Sequence, residues 1–296
     1  MIRAVNLTKR YGGAVAVENL SFDVPAGTLA GLLGPPGAGK TTTMRLALGL
    51  DMPTSGRVTI GGKRYEDLGH PLRTVGTSFA HPAPQPGRSA RSYLTRLARA
   101  YKIPPDNVDS AVDSAGLTEV AERKISALPA AMAHRVAVAA ALLGDPEVLL
   151  LDDPASGLDP QGVLWLRRLT RRLAGEGRTV LVSSKLLAEM AMTVSDLIVL
   201  DKGKLLWQGS VEDYLTQATE DSVKIRAPHL TGLRATLEQH GAVTRKDGDG
   251  IVVFGMDSAR ITDLAAEQGW VIDEATPRRS ELEEAFSAFC GSQIAT

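Results

Sequence analysis

At 296 residues with a net charge of −1, the chain is long enough for one large domain and a small one, and it lacks the basic excess that a nucleic-acid binder usually carries. Apolar residues make up 44% and charged residues 23%, which builds an ordinary core and excludes general disorder. The single cysteine, Cys290, excludes an internal disulfide, suits a reducing compartment and reads as a small apolar filler.

The amino end has no apolar run resembling a signal peptide. The most apolar stretch, 136–151, is broken by Asp145, Pro146 and Glu147, short of the ~20 residues a membrane span needs. The expectation is a soluble chain whose membrane role runs through a partner.

In chain order, residues 28–33 form a short apolar run that ends at a glycine-rich loop. The segment 42–48 that follows has helical spacing, so the local reading is strand, loop, helix. Residues 56–62 alternate between glycines as a strand with a tight turn does. Pro82, Pro84, Pro86 and Gly87 mark an irregular loop over 81–88. Helical patterns cover 89–101, 108–115 and 132–143. The apolar runs 148–151 and 179–182 read as buried strands, and strands alternating with helices predict a parallel sheet with crossovers.

Past residue 220 the pattern becomes strand 222–226, helix 230–240, strand 242–245, strand 251–254, helix 258–268, strand 270–273 and helix 281–289. Asp247-Gly248-Asp249-Gly250 is a hairpin signal. The order is close to a split βαβ, ferredoxin-like unit. The predicted division is an α/β domain over 1–216, with a helical subdomain at about 81–144, and a small α+β domain over 221–296.

Gly34-Pro35-Pro36-Gly37-Ala38-Gly39-Lys40-Thr41 fits the phosphate-loop pattern G-x-x-x-x-G-K-S/T. Glycines let the backbone curl so that N–H groups face phosphate, and the following helix adds its positive end. Candidate phosphate contacts are Gly34, Pro36, Gly37, Ala38, Gly39, Lys40, Thr41 and Thr42. Lys40 reaches the outer phosphates as a point charge, and the Thr41 hydroxyl completes a Mg²⁺ shell. Leu149-Leu150-Leu151-Asp152-Asp153 is an apolar strand ending in two carboxylates, with Asp152 at the place where such folds hold magnesium.

Together these residues resemble the ABC ATPase family, particularly the bacterial drug- and antibiotic-export type, over nearly the whole chain. Leu7-Thr8-Lys9-Arg10-Tyr11-Gly12 is similar to the opening in which an aromatic, here Tyr11, stacks on adenine. Residues 141–146 before the acidic strand, Ser156-Gly157-Leu158-Asp159-Pro160 after it, and residues 280–286 also resemble that type. The resemblance implies a P-loop NTPase fold, ATP and Mg²⁺ as cofactors, and a cytoplasmic location on the inner face of the membrane. It implies a membrane-spanning transporter subunit and a second ATP-binding subunit as partners, and no nucleic acid. In that family two ATPase subunits pair head to tail, with each ATP between one phosphate loop and the other's signature stretch, usually Leu-Ser-Gly-Gly-Gln. The 81–115 region would be the part that docks on the membrane partner, with Arg88, Arg91, Arg96 and Arg99 read as a solvated face.

Four departures from the family pattern bear on function. Counted back from Arg135, the signature is Leu128-Pro129-Ala130-Ala131-Met132, where proline offers neither hydroxyl nor N–H and methyl groups replace glycines. Asp153 stands at the catalytic-glutamate position, one methylene short. Lys185 stands at the expected histidine and has no acceptor. Ala80, beside His81, stands at the usual glutamine. Both kinds of damage lie on one chain. A homodimer would have two doubly weakened sites, and a pair with an intact partner two singly weakened ones. Slow or impaired hydrolysis is therefore expected. Two alternatives fit the same residues: a regulatory ATP-binding protein without transport, and an ordinary exporter ATPase in which Asp153 and Lys185 suffice.

Overall fold

The computed structural model describes residues 1–79, 85, 87–220 and 222–277. The chain divides into two compact units: Met1–Lys185 with Glu189–Gln208, and Leu186–Ala188 with the chain from Gly209 on.

In the first unit, β1 (Ile2–Tyr11) and β2 (Ala14–Val24) form an antiparallel pair, and β3 (Leu29–Leu33) leads into α1 (Lys40–Ala47). Next, β4 (Ser55–Ile60) returns beside β1, completing a sheet of order β2-β1-β4. Ile2 and Ala4 are buried while Arg3 is exposed, because alternate side chains of a strand face opposite sides. A bulge at Asn6, with φ of 49°, then switches the parity so that Leu7 is buried.

The chain continues through α2 (Pro71–Thr74), β5 (Val75–Ser78), α3 (Ala90–Ala100), α4 (Asp106–Ser114) and α5 (Ala130–Leu142). It then runs through β6 (Val148–Leu151), α6 (Pro160–Gly175), β7 (Thr179–Ser184), α7 (Leu187–Ala191), β8 (Asp196–Asp201) and β9 (Lys204–Ser210). The second sheet has the order β5-β6-β7-β3-β8-β9. Its pairs from β5 through β8 are parallel, as the alternation of strands and helices predicts. Buried residues of both sheets, such as Leu7, Leu20, Leu32, Leu150 and Ile198, share one core with Met44 and Leu46 of α1.

Register decides where the polar residues emerge. Leu33 pairs with Ser184, Leu151 with Val182, and Ser78 with Leu151. Gly34, Asp152 and the Ser183–Lys185 stretch therefore leave the sheet together at the carboxyl ends of neighbouring strands, where open α/β sheets place ligands.

α3 is capped by Ser89, whose hydroxyl accepts the Ser92 N–H at 3.2 Å. Within the solvated face read above, where Arg88, Arg96 and Arg99 are exposed, Arg91 is ion-paired at the surface with Asp109 of α4 and, at 2.8 Å, with Glu122. Amphipathic spacing cannot reveal this, because both carboxylates come from later in the chain.

The second unit contains α8 (Val211–Glu220), β10 (Ser222–Arg226), α9 (Leu230–Gln239), β11 (Val243–Asp247), β12 (Gly250–Phe254), α10 (Ser258–Glu267) and β13 (Glu274–Pro277). Its sheet order is β11-β12-β10-β13, with every adjacent pair antiparallel, which is the ferredoxin-like arrangement. Val223, Ile225, Ile251 and Val253 pack against Leu233, Leu237, Ile261 and Leu264 of the two helices α9 and α10.

The strand expected at 270–273 lies four residues later, as β13. Trp270 is held elsewhere: its amide donates to Ala265 O at 2.8 Å, closing the end of α10, and its indole N–H reaches Thr236 Oγ1 at 3.3 Å. A Cβ on Gly232 would lie 2.3 Å from that indole, so glycine is required beneath it. The helix expected at 281–289 lies outside the described residues.

Candidate functional site

The loop between β3 and α1 is curled by contacts that leave no room for a side chain at Gly34 or Gly39. A Cβ on Gly34 would fall 2.4 Å from Leu200 O, and one on Gly39 would fall 2.6 Å from Ala16 O. Gly37 and Gly39 have φ of 83° and 100°, the left-handed region that favours glycine. The Ala38 amide donates to Pro35 O at 3.1 Å, and Ala38 O accepts from Gly203 N–H at 3.0 Å. Gly203 sits with Lys202 in the tight turn between β8 and β9, with φ of 82° and 46°. That hairpin tip thus anchors the loop, a role that the local sequence does not advertise.

The first hydrogen bond of α1 runs from Thr43 N–H to Gly39 O at 2.8 Å. The amides before it face the loop and carry the positive end of the helix. Pro36 and Gly37 are exposed at the loop tip, and Ala38 is buried. The Lys40 ammonium donates to Gly34 O at 2.7 Å and Pro35 O at 3.0 Å, which holds the cation at the mouth of the curl.

Thr41 and Asp152, remote in sequence, meet there. Thr41 Oγ1 donates to Asp152 Oδ2 at 2.7 Å. The other oxygen, Oδ1, accepts from Ser183 Oγ at 2.6 Å. Ser183 Oγ in turn accepts the Asp153 amide at 2.8 Å, and the Asp152 amide donates to Ser78 O at 2.8 Å. Asp152 and Ser183 are 7% and 1% exposed; burial of such polar groups is tolerable only with this full set of partners.

A hydroxyl and a carboxylate side by side are hard oxygen donors of the kind magnesium takes, with the remaining positions left to phosphate and water. Among the described residues no cluster of three or more His, Cys, Asp or Glu side chains has metal-ligand spacing. Thr41 and Asp152 are the residues here whose oxygens could hold such a metal.

Tyr11 lies beside α1, 46% exposed. Its hydroxyl donates to Asp51 Oδ2 at 2.7 Å, and Arg45 Nε reaches the same oxygen at 2.7 Å. Lys9 Nζ stands 4.8 Å from the ring centroid. The bond to Asp51 raises the Tyr11 pKa above its usual value. Arg45, then Tyr11, hold the Asp51 carboxyl below the usual carboxylate range. Asp51 was not singled out in the sequence, because no motif marks a carboxylate just past the end of α1.

The departing positions are placed as follows. Asp153 has φ of 46°, a conformation that Asp and Asn tolerate better than longer side chains. Such residues cost about 1–3 kcal/mol and cluster at functional sites. Lys185 is exposed, directly after the Ser184 that pairs with Leu33. α5 starts at Ala130 with Pro129 as its N-cap, and no side chain caps it. α6 begins instead with Asp159, whose Oδ1 accepts the Gly162 N–H at 2.7 Å. Ala80 and His81 lie outside the described residues.

The parallel sheet, the curled loop after β3 and the carboxylate at the end of β6, with β7 between those strands, define the nucleotide-binding core of a P-loop NTPase. The family described as ABC transporter matches residues 17–156, and a domain family of unknown function matches residues 221–283. The chain is 31% identical to the bacitracin transport ATP-binding protein of Bacillus licheniformis, covering 98% of this chain and 97% of that one. It is 32% identical to the Nod factor export ATP-binding protein I of Ralstonia nicotianae, covering 97% and 93%. The solved dimeric structure of a bacterial ABC transporter cassette superposes with a TM-score of 0.65 at 25% identity, covering 71% of this chain and 99% of that one. The chain belongs to the family of ABC transporter ATP-binding proteins. Among the described residues no helix is long and apolar enough to cross a membrane.

Proposed function

We propose that this chain is the ATP-binding subunit of an ABC exporter, that it holds Mg-ATP at Lys40, Thr41 and Asp152, and that it turns ATP over slowly. The observation that carries the reading is the convergence of these three residues, from two strand ends, on one curled loop. Main-chain amides and the Lys40 ammonium bind the phosphates. Tyr11, tethered by Asp51, presents an aromatic face for the base. Magnesium, if bound, would be held by the Thr41 hydroxyl and the Asp152 carboxylate and would offset the charge of the phosphates.

Slow turnover follows from side-chain reach. Asp153 is a carboxylate one methylene shorter than glutamate, and a ~1 Å misplacement of a base costs about 100-fold. Lys185 has no acceptor to offer a water or a proton. Pro129 and the methyls of Ala130 and Ala131 remove the hydroxyl and the close backbone approach with which a partner's phosphates would be gripped. The chain then contributes mainly ATP-dependent closure, against a second ATP-binding subunit and under a membrane-spanning partner, from the cytoplasmic side. The names of its relatives, which are transport and export ATP-binding proteins, support the exporter part of the reading.

Equilibrium ATP binding to the purified chain, alone and as the Lys40→Ala variant, tests it. Binding that is strong in the parent and lost in the variant is expected. Equal affinity in the two removes the reading.

A further inference from the structure

We infer that Ser183 is a positioning residue for the magnesium side of the nucleotide site, a role resting on the reading just given. Among the described residues its hydroxyl hydrogen-bonds both acidic positions. It donates to Asp152 Oδ1 at 2.6 Å and accepts the Asp153 amide at 2.8 Å, from a side chain that is 1% exposed. One hydroxyl has a single proton to give and lone pairs to receive, so the two bonds also fix its own rotation.

Two consequences follow. Asp152 is left with Oδ2 aimed at Thr41, because Oδ1 is occupied from the side of β7. Its carboxylate cannot turn without breaking a short, charge-assisted bond. Asp153, whose φ is 46° and whose carbonyl accepts the Ser156 N–H at 3.1 Å, has its amide pinned by a strand 30 residues later. The Ser183 position is itself set by the ladder, since Val182 beside it pairs with Leu151 just before Asp152. The Ser183 hydroxyl acts through Asp152 Oδ1 and the Asp153 amide. It acts by keeping the ligand oxygen of Asp152 and the turn at Asp153 in place before nucleotide arrives.

The test is ATP affinity measured with Mg²⁺ and with EDTA, in the parent, Ser183→Ala and Ser183→Thr proteins. In Ser183→Ala the strengthening of binding by Mg²⁺ falls by about tenfold, the size of one charge-assisted hydrogen bond, while affinity in EDTA changes less than about twofold. Ser183→Thr, which keeps the hydroxyl, retains most of the Mg²⁺ effect. A merely structural serine would lower both affinities together, and that result, or an unchanged Mg²⁺ effect in Ser183→Ala, overturns the inference. Should Ser183→Ala fail to fold, Ser183→Cys, a weaker donor of similar shape, must show an intermediate Mg²⁺ effect, and a parent-like value there overturns it equally. A parent protein whose ATP binding is not strengthened by Mg²⁺ removes the functional reading itself, and the inference falls with it.

Discussion

Two helix N-termini of the first unit invite comparison, those of α1 and α5. α1 follows Gly39, whose φ of 100° and contact with Ala16 O admit only glycine, and its first turn carries Lys40 and Thr41 with named partners. α5 follows Pro129, has no side-chain cap, and opens with Ala130 and Ala131. Both helices present backbone amides and a positive end. Only the first adds a cation, a hydroxyl and space for phosphate to approach. A helix terminus is thus not a site by itself, and the residues around it decide whether an anion is held or merely tolerated.

The largest way to break this contrast is Lys40→Ala, which is expected to weaken ATP binding by about 100-fold, the equivalent of one or two charge-assisted bonds. Isothermal titration reads it. Turnover comes next. Steady-state ATPase activity is expected about 100-fold below that of an ordinary exporter ATPase, and Asp153→Glu with Lys185→His raises it. The gain is partly offset because glutamate suits the left-handed backbone at 153 less well than aspartate. An unmodified chain with ordinary turnover would favour the third reading of the sequence, in which Asp153 and Lys185 suffice.

Rebuilding the weak terminus sharpens the comparison. Pro129→Ser with Ala130→Gly and Ala131→Gly should lower the protein concentration needed for ATP-dependent pairing by about tenfold, the value of one recovered phosphate contact, as read by analytical ultracentrifugation. Smaller still is Tyr11→Ala, expected to weaken ATP binding about five- to tenfold through lost stacking on the base while leaving inorganic triphosphate binding unchanged. The tether behind Tyr11 should be insensitive to pH across the neutral range. Asp51 has a depressed pKa, so the stabilisation it gives is complete above the ordinary carboxylate value and is lost only as pH falls through the depressed one.

Much of the nucleotide core was legible because it is local. The loop from Gly34 to Thr41 and the run ending at Asp152 are contiguous strings whose residue types have no cheaper explanation. The β10 bounds and the turn at Gly248 were readable for the same reason. What escaped depends on distant partners. Ser183 sits in a run of small polar residues, and nothing near it in sequence says that its hydroxyl meets Asp152. Gly203 reads as an ordinary turn, yet it anchors Ala38. Arg91 has the spacing of a solvated face, and nothing near it in sequence shows that Asp109 of α4 pairs with it there. β13 was misplaced because an aromatic in an apolar run suggests a strand, whereas Trp270 closes the end of α10 and covers Gly232.

The claim that binding is kept while chemistry is weakened is tested most directly by the fate of bound nucleotide. The purified chain is incubated with ATP and Mg²⁺, rapidly separated from free nucleotide, and the protein-bound fraction is analysed for ATP and ADP over time. Stoichiometric nucleotide that remains ATP over many minutes is the predicted result. Bound ADP accumulating within seconds would contradict it.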